Sequence, residues 1–350
     1  MSQTSAPRVL FLADAGPQVG GGHVMRCLTL ARALVARGAE CAFVESRAAA
    51  PILRRFGWPA QTLLAMLDAD ALPDLVRRGC DFADRFGADA VVVDHYGAGA
   101  EAEVALRGDG RRIVVLDDLA DRRHACDLIV DPGFGRRREP YDRLVEPACV
   151  GLFGPSYALV RPEFAAARRR ALSRRARHGP VRRALVALGL TDVGGITGRV
   201  VNALAPLLDD ARLDIVLGDG APSLAALREA AHGDRRLRLW VDSPDMASLM
   251  ADADIAIGAG GSSTWERAVV GLPSATVVLA ENQRAMVGQL AAASLTLAVD
   301  AAAPGFEDHL REAWARLAAD PTLRWRLAER TADLCDGHGA DRVAEAVLKL

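Results

Sequence analysis

The sequence predicts an α/β protein built from two doubly wound halves, each with a parallel sheet. Short runs of Val, Ile and Leu recur along the 350 residues, and stretches of helical periodicity separate them. Continuous apolar runs are typical of parallel strands, because helices cover both faces of such a sheet. Their alternation with helices indicates βαβ units, and the chain is long enough for two domains of ordinary size.

The first half begins with a strand, a glycine-rich loop and a helix. The helical periodicity starts at Met25 and stops at Gly38. Two later apolar runs end in acidic residues and read as buried parallel strands. We predict strands over residues 8–14, 40–46, 88–96 and 111–120.

The second half repeats this alternation after an arginine-rich segment at 161–183. That segment is poor in β-branched residues and is broken by Gly179 and Pro180, which favours a solvated linker or surface helix over a phosphate-binding site. The second set of strands is predicted over residues 184–190, 212–220, 236–241, 253–261 and 274–280.

We therefore divide the chain into two α/β domains and a linker. The N-terminal domain covers residues 1–165, a basic linker covers 166–182, and the C-terminal domain covers 183–350. A cleft between two such domains is a common place for a ligand.

The composition excludes several classes of function. The formal net charge is -2, so nothing favours non-specific binding to nucleic acid. The six cysteines form no CxxC pair and show no zinc-finger spacing, which is typical of reduced thiols in the cytoplasm. The N-terminal residues do not resemble a signal peptide, and no apolar run approaches the roughly 18 residues of a membrane span. We expect a soluble cytoplasmic protein without stable membrane insertion.

A histidine stands where the first glycine-rich loop becomes a helix. Gly20–Gly22 precede His23, and glycines let a backbone approach a ligand closely. A neutral imidazole at a helix N-terminus can act as a general base. The alternative is a histidine that caps or packs the helix start. A dinucleotide fingerprint would need a third glycine where Met25 stands, although Glu45 ends the next strand as a ribose-binding acid would.

Polar residues also end two later strands of the first half. Asp94–Tyr96 follow one buried run, and Asp117 and Asp118 follow the next. Groups at this edge of an α/β sheet usually face the ligand crevice, and ordinary strand-end polarity is the alternative. The two aspartates and His124 lack compact ligand spacing, so we expect no metal site.

The most specific motif is GAGGSSTWE at 258–266. Gly260 and Gly261 open a loop after a predicted strand, and three hydroxyl residues at the next helix start supply oxygens and backbone N–H groups. This arrangement is typical of a phosphate site, and Glu266 can accept hydrogen bonds from both ribose hydroxyls. A capped helix without a ligand is the alternative. The hydroxyl residues are Ser262, Ser263 and Thr264.

Together these segments resemble the UDP-sugar hydrolases of pseudaminic acid biosynthesis. The segments GGGHVMRCLTLA, VVDHY, LDDLADRRHACDLIVD, LFGPSYALVRPEF, residues 246–274, ENQ and DGHGADRV follow in the order found in that family, from Asp14 to about Val343. The family is related to the MurG-type glycosyltransferases. The resemblance therefore implies a GT-B fold, which consists of two Rossmann-like domains with a cleft between them.

The resemblance also implies a reaction and its residues. Water would attack the anomeric carbon of a UDP-linked 2,4-diacetamido-2,4,6-trideoxy sugar with inversion, without metal or cofactor, in a pathway for surface or flagellin glycosylation. The general base would be His23, and we expect a monomer or weak homo-oligomer. The residues implied at UDP are Thr191, Gly260, Gly261, Ser262, Ser263, Thr264 and Glu266, and those at the sugar are Asp14, Gly22, Arg26, Asp94, Tyr96, Asn282 and Gln283.

Two positions depart from the family pattern. Many members carry an arginine where Leu12 stands and a second glycine where Leu190 stands. These differences bear on the choice of sugar more than on the class of reaction. The alternatives are a MurG-like glycosyltransferase with the same donor site, a catalytically silent nucleotide-sugar binder, and an NAD-dependent dehydrogenase.

Overall fold

The computed structural model describes residues 6–16, 19–57, 62–67, 71–177 and 179–350. Two compact units divide the chain: one runs to Val160 and includes residues 338–350, and the other covers 161–337. The boundary therefore differs from the predicted one at residue 165, and the last residues belong to the first unit instead of the second. Residue 178 of the predicted linker lies outside the described residues, as do residues 1–5 of the N-terminal segment.

The first unit is a parallel sheet covered by helices. Its described strands are β1 (Arg8–Ala13), β2 (Glu40–Ser46), β3 (Thr62–Leu67), β4 (Ala90–Asp94), β5 (Arg112–Leu116), β6 (Leu128–Asp131) and β7 (Val150–Phe153), and its first helices are α1 (Gly22–Val35), α2 (Ala50–Phe56), α3 (Leu72–Phe86) and α4 (Ala100–Arg107). The strand order is β3-β2-β1-β4-β5-β6-β7, and every pair is parallel. The four strands predicted in this half are present.

The strand order of this sheet indicates at which edge a ligand would bind. From β1 the chain first builds outward through β2 and β3, and then returns to the other side of β1 with β4. Leu12 pairs with Val93 and Ala13 with Asp94, so β1 and β4 end side by side. Doubly wound sheets bind ligands outside the carboxyl ends of their strands at such a switch point.

The apolar side of helix α1 packs against the sheet. Val24, Cys27, Leu28 and Leu34 are buried at helical spacing in one core cluster with the inner face of the sheet. The helix begins three residues before the predicted start, so the glycine-rich loop is shorter than the sequence suggests. It ends before Gly38, whose φ of 88° lies in the left-handed region that favours glycine.

The second unit repeats the plan with a second parallel sheet. Its described strands are β8 (Arg183–Ala187), β9 (Arg212–Leu217), β10 (Leu237–Val241), β11 (Ile255–Ala259), β12 (Ser274–Val278) and β13 (Leu297–Asp300), and its helices are α5 (Pro162–Arg175), α6 (Ile196–Leu204), α7 (Leu224–Gly233), α8 (Met246–Asp252), α9 (Ser263–Val269), α10 (Glu281–Ala292), α11 (Phe306–Ala319) and α12 (Pro321–Ala332). The order is β10-β9-β8-β11-β12-β13, with the switch point between β8 and β11. Two parallel α/β sheets confirm the predicted class.

The predicted basic linker is mostly helix α5, a packed part of the second unit. Phe164 and Ala171 are buried, and the Arg168 guanidinium donates to the carbonyls of Val269 and Ala332 at 2.7 Å each. Arginine side chains here bind backbone carbonyls at the ends of other helices. Composition alone could not show this, because a solvated arginine and a carbonyl-binding arginine look the same in sequence.

The chain ends in α13 (Gly339–Val347), which packs on the first unit. Val343, Ala344 and Val347 are buried in the same core cluster as α1. The helix approaches the main chain of Ala158 closely at its first residue. A Cβ on Gly339 would lie 2.2 Å from the Ala158 carbonyl oxygen and 2.7 Å from its nitrogen. Among the helices of the described ranges, none combines the length and apolar character that a membrane span requires.

Gly339→Ala is expected to lower the free energy of unfolding of the first unit by about 1–3 kcal/mol, because backbone must move to admit the methyl group. Gly288→Ala is the matched control. It lies within α10, where no atom of a described residue, apart from its chain neighbours and the adjacent backbone of that helix, comes within 4 Å of the position that a Cβ would take, so the change is expected to be neutral or to stabilise by up to about 1 kcal/mol. Urea denaturation compares the midpoints. Equal midpoints for both variants would contradict the close packing of α13.

Candidate functional site

His23 lies at the switch point of the first sheet. It is the second residue of α1 and is 5% exposed. Its Nδ1 lies 2.5 Å from Oδ1 of Asp94, the last residue of β4, and its Nε2 makes no hydrogen bond to a described residue. A proton on Nδ1, donated to the carboxylate, leaves a lone pair on Nε2. The pair therefore places a base at the carboxyl edge of the sheet.

Asp94 is held ionised by Arg26. The Arg26 guanidinium donates from Nε to Oδ2 and from Nη2 to Oδ1, both at 2.6 Å, and Asp94 is fully buried. Burial alone would raise the pKa of Asp94, but Arg26 and His23 together outweigh it and hold that pKa well below its usual range. Nη2 of Arg26 also lies 3.1 Å from Nδ1 of His23. We assign the Nδ1 proton to the shorter contact with Asp94, because a guanidinium has no acceptor.

Tyr96 and Asp118 complete this group. The Tyr96 ring stands edge-on to the His23 ring, with centroids 4.5 Å apart. Burial, followed by the charge of Asp118, raises the pKa of Tyr96, which stays neutral and hydrogen-bonds Asp118. Asp118 also accepts from Nη1 of Arg26 at 2.9 Å through Oδ2, whereas its buried Oδ1 has no partner among the described residues. The site thus contains one buried carboxylate oxygen that accepts no hydrogen bond from a described residue.

Asp14 and His95 lie beside the same strand ends. The backbone N–H of Asp14 donates to the carbonyl of Asp94 at 2.7 Å, and its Oδ1 lies 3.7 Å from Nε2 of His95. His95 accepts from the backbone N–H of Gly97 through Nδ1 at 3.0 Å, so its proton is on Nε2. Burial lowers the pKa of His95, against the opposite effect of Asp14.

The structure brings the predicted residues of the first unit to one edge. They follow β1, end or follow β4, or occupy the first turns of α1: Asp14, Gly22, His23, Arg26, Asp94 and Tyr96. The strand-end groups that the sequence indicated at the ligand crevice also include His95 and Asp118, although no contact was assigned to either. Both stand near the carboxyl ends of the strands predicted over residues 88–96 and 111–120.

Asp117 belongs to a separate, buried polar cluster. The Tyr141 hydroxyl lies 2.7 Å from Oδ2 of Asp117 and 2.8 Å from Oδ2 of Asp131. Nearby, Nδ1 of His124 lies 2.6 Å from Oε1 of Glu103. One phenolic proton cannot serve two ionised carboxylates, so the geometry favours a proton on one of them. The described residues include no group of three or more His, Cys, Asp or Glu arranged to hold a metal ion.

Asp131 makes stability depend on pH. Burial raises its pKa to about 6, against Arg136, so between about pH 4 and 6 the folded protein holds a proton that the unfolded chain has lost. This group therefore lowers the free energy of unfolding as pH rises through that window, by up to roughly 3 kcal/mol. Asp131→Asn should remove this slope in urea titrations between about pH 4 and 7, and Asp109→Asn, at an exposed turn, should keep it. A slope unchanged by Asp131→Asn would contradict the assignment.

In the second unit, residues 260–264 comprise the loop after β11 and the first two residues of α9, and we call this segment the phosphate loop because its sequence predicts a phosphate site. Gly260 packs closely: a Cβ there would lie 2.6 Å from Val287 and 3.2 Å from Oε1 of Gln283. Gln283 accepts from the backbone N–H of Leu279 at 3.1 Å, which holds the turn after β12. Asn282 is exposed on the first turn of α10. The loop and the ENQ segment therefore meet at neighbouring strand ends.

Arg267 lies beneath the phosphate loop and was not predicted. It is 3% exposed, and its Nη2 donates to the carbonyl of Ala259 at 3.0 Å and to Oγ1 of Thr264 at 3.2 Å, while Nη1 donates to Oγ of Ser263 at 3.1 Å. Burial lowers the pKa of Arg267 to about 10, against the opposite effect of Glu266. The side chain is therefore a cation at neutral pH.

Glu266 is paired with a second arginine. Arg161 donates from Nη2 and Nε to Oε1 of Glu266 at 3.0 and 3.3 Å. Oε2 accepts no hydrogen bond from a described residue. This pairing fixes the carboxylate and leaves one oxygen for a ligand. Arg161 stands in the segment LFGPSYALVRPEF, but nothing in its sequence spacing pointed to Glu266.

Thr191 lies in the loop after β8. Its neighbour Asp192 is fully buried in the left-handed region, with φ of 46°, and its carboxylate accepts from the backbone N–H groups of Thr197 at 2.7 Å and Ser223 at 2.9 Å. Leu190 uses its carbonyl to accept from the N–H of Gly218 at 3.0 Å. Because β8 and β11 are adjacent, this loop and the phosphate loop flank the switch point of the second sheet.

Comparison with solved structures gives the fold its name. The structure of MurG from Acinetobacter baumannii matches with a TM-score of 0.68, covering 98% of this chain and 100% of that one at 16% identity. The chain has a GT-B fold. The GT-B prediction is confirmed, and at this identity the likeness shows the fold alone.

Two curated relatives match this GT-B chain over most of their lengths. One is the UDP-2,4-diacetamido-2,4,6-trideoxy-beta-L-altropyranose hydrolase of Campylobacter jejuni, 23% identical over 285 residues, which are 81% of this chain and 96% of the relative. The other is the spore coat polysaccharide biosynthesis protein SpsG of Bacillus subtilis, 25% identical over 340 residues, which are 95% of each chain. No family model matches the sequence. The first relative confirms the resemblance that the motifs indicated.

Proposed function

We propose that this GT-B protein is an enzyme that hydrolyses a UDP-sugar at its anomeric carbon. The observation that carries the proposal is the His23–Asp94 pair, which leaves Nε2 of a buried imidazole without a partner among the described residues at the switch point of a doubly wound sheet. The second support is the likeness to a relative named as a UDP-sugar hydrolase.

In the proposed reaction His23 activates water. Water attacks the anomeric carbon and gives a proton to Nε2, while the bond from that carbon to the phosphate oxygen breaks and its electron pair leaves with UDP. Attack on the face opposite UDP inverts the configuration. Asp94 stabilises the imidazolium that forms and fixes the ring through Nδ1. Such a base contributes a rate factor of about 10²–10⁴.

The second unit would bind UDP. Backbone N–H groups and hydroxyls of the phosphate loop suit a diphosphate, and the unpaired oxygen of Glu266 suits the ribose hydroxyls. Thr191, on the loop at the other side of the switch point, would add a hydroxyl. UDP is a good leaving group, so the site needs charge stabilisation more than a general acid. This contrasts with ordinary glycosidases, which use two flanking carboxylates.

The proposed substrate is a UDP-linked 2,4-diacetamido-2,4,6-trideoxy sugar, as in the relative from Campylobacter jejuni. The free Oδ1 of Asp118 is a buried acceptor that suits the N–H of an acetamido group. Gly22, Asp14, Tyr96, Asn282 and Gln283 remain proposed sugar contacts. The proposed pathway is pseudaminic acid biosynthesis for surface or flagellin glycosylation.

The experiment is turnover without an acceptor. Purified protein is incubated with a panel of UDP-diacetamido sugars and UDP-N-acetylglucosamine, and NMR follows UDP and free reducing sugar. We expect equal amounts of both from a diacetamido substrate. UDP-sugar binding with product only after an acceptor is added would indicate a glycosyltransferase, and binding without product under either condition would indicate a nucleotide-sugar binder.

A further inference from the structure

A buried guanidinium lies under the phosphate loop without a carboxylate hydrogen-bonded to it among the described residues. We propose that Arg267 is a positioning residue that orients the Ser263 and Thr264 hydroxyls and supplies positive charge for the diphosphate of UDP. This inference rests on the proposed UDP site. The helix α9 has seven residues, and the Arg267 guanidinium adds a full positive charge to the partial charge of its N-terminal N–H groups.

The fold makes room for this side chain. Gly258 stands in β11 directly against the guanidinium, and a Cβ there would lie 2.3 Å from Nη1 of Arg267 and 2.6 Å from its Cζ. The guanidinium then spans from β11 to α9, with Thr276 of β12 at 3.4 Å from Nη2. A glycine in a buried strand costs stability, so the pairing of Gly258 with Arg267 indicates a specific requirement for the cation.

The acceptors around Arg267 are neutral. They are the Ala259 carbonyl and the hydroxyls of Ser263, Thr264 and Thr276. The nearest acid, Glu266, is already bound by Arg161. Two guanidinium groups and one carboxylate leave a net charge of +1 beside the loop. Burying a cation without a charged partner is unfavourable, and an anion bound at the loop would offset that cost.

The N–H groups of Arg267 fix the orientation of the Ser263 and Thr264 hydroxyls. A guanidinium only donates, so the oxygens of Ser263 and Thr264 accept from Arg267. The Thr264 hydroxyl proton is donated to the carbonyl of Ala259 at 3.4 Å, whereas the Ser263 hydroxyl proton points elsewhere, as a donor for a phosphate oxygen. Polarisation by the cation strengthens such bonds. Arg267 therefore acts through these two residues and does not need to touch the ligand.

The test compares UDP with uridine, which lacks the phosphates. Isothermal titration calorimetry is run on the full-length protein, Arg267→Met and Arg267→Lys, each checked for folding by thermal unfolding. We expect Arg267→Met to weaken UDP binding by about 10–100-fold, the range for hydrogen bonds that involve charge, and uridine binding by less than about threefold. Arg267→Lys keeps the charge and is expected to recover part of the affinity for UDP.

The outcomes separate this proposal from the proposed function. Equal losses for UDP and uridine in Arg267→Met, or unchanged UDP affinity, would overturn the role of Arg267 and leave the UDP site in place. A wild-type protein that binds neither ligand would overturn the UDP site itself, and this role with it. If Arg267→Met fails to fold, the same titrations are made with Arg267→Lys and Gly258→Ala. An affinity for UDP that falls more than the affinity for uridine supports the proposed role of Arg267, and equal falls in both affinities overturn it.

Discussion

His23→Ala is expected to lower kcat on the UDP-sugar by about 10²–10⁴-fold while the affinity for UDP stays within a factor of about two. The reason is that Nε2 of His23 is the proposed acceptor for the proton of water, whereas the UDP contacts are proposed in the other unit. The measurement is steady-state kinetics of UDP release, together with calorimetric titration of UDP.

A second histidine, far from the proposed chemistry, provides the control substitution for His23→Ala. His309 is exposed on α11, so His309→Ala is expected to keep wild-type kinetics. If His23→Ala keeps turnover within a factor of a few while UDP still binds, His23 is not the base. Loss of UDP binding together with turnover would instead indicate that the substitution disturbs the whole chain, and thermal unfolding would show this.

Asp94→Asn is expected to have the largest effect on stability, about 3–5 kcal/mol. The substitution leaves the buried guanidinium of Arg26 without its bidentate carboxylate, and only the part-exposed Asp118 remains beside it. It also removes the charge that fixes the His23 tautomer, so kcat should fall together with stability. Urea denaturation measures the first effect and UDP release measures the second.

Two further variants test whether the uncompensated charge of Arg26 causes the loss of stability. Asp118→Asn removes a carboxylate that is about a third exposed, so the expected loss of stability is only about 0–1 kcal/mol. Adding Arg26→Met to Asp94→Asn should recover part of the stability, because the uncompensated charge is gone. A double variant as unstable as the sum of its parts would contradict the account of the Arg26–Asp94 pair.

Part of the fold could be predicted because the strands at the centre of each sheet are continuous apolar runs. The runs at β1, β4, β8 and β11 each carry several consecutive buried residues, and these four strands form the two switch points. The short strands β6, β7 and β13 have four residues each, which is too few for a pattern to stand out.

The placement of the last helix could not be predicted for a different reason. The apolar spacing of α13 shows that one side is buried, but not in which unit it is buried. That is decided by the close approach of Gly339 to Ala158, far away in the sequence. Contacts of such separation leave no periodic signal.

In the candidate site too, residues within local motifs could be predicted, whereas their partners from distant segments of the chain could not. His23 and Gly260 could be predicted because glycine-rich loops mark where a backbone approaches a ligand. The partners that set their chemistry are charges from other segments, such as Asp94 for His23. Arg161 and Arg267 were missed because a chain with 43 Lys and Arg offers many arginines of equal appearance.

The central claim is that water attacks the anomeric carbon, and labelled water tests it most directly. The UDP-sugar is turned over in H₂¹⁸O without an acceptor, and mass spectrometry locates the label while NMR records the first-formed anomer. We predict ¹⁸O at the anomeric carbon of the released sugar, unlabelled UDP and inverted configuration. Label in the phosphate of UDP, or a sugar with retained configuration, would contradict the account.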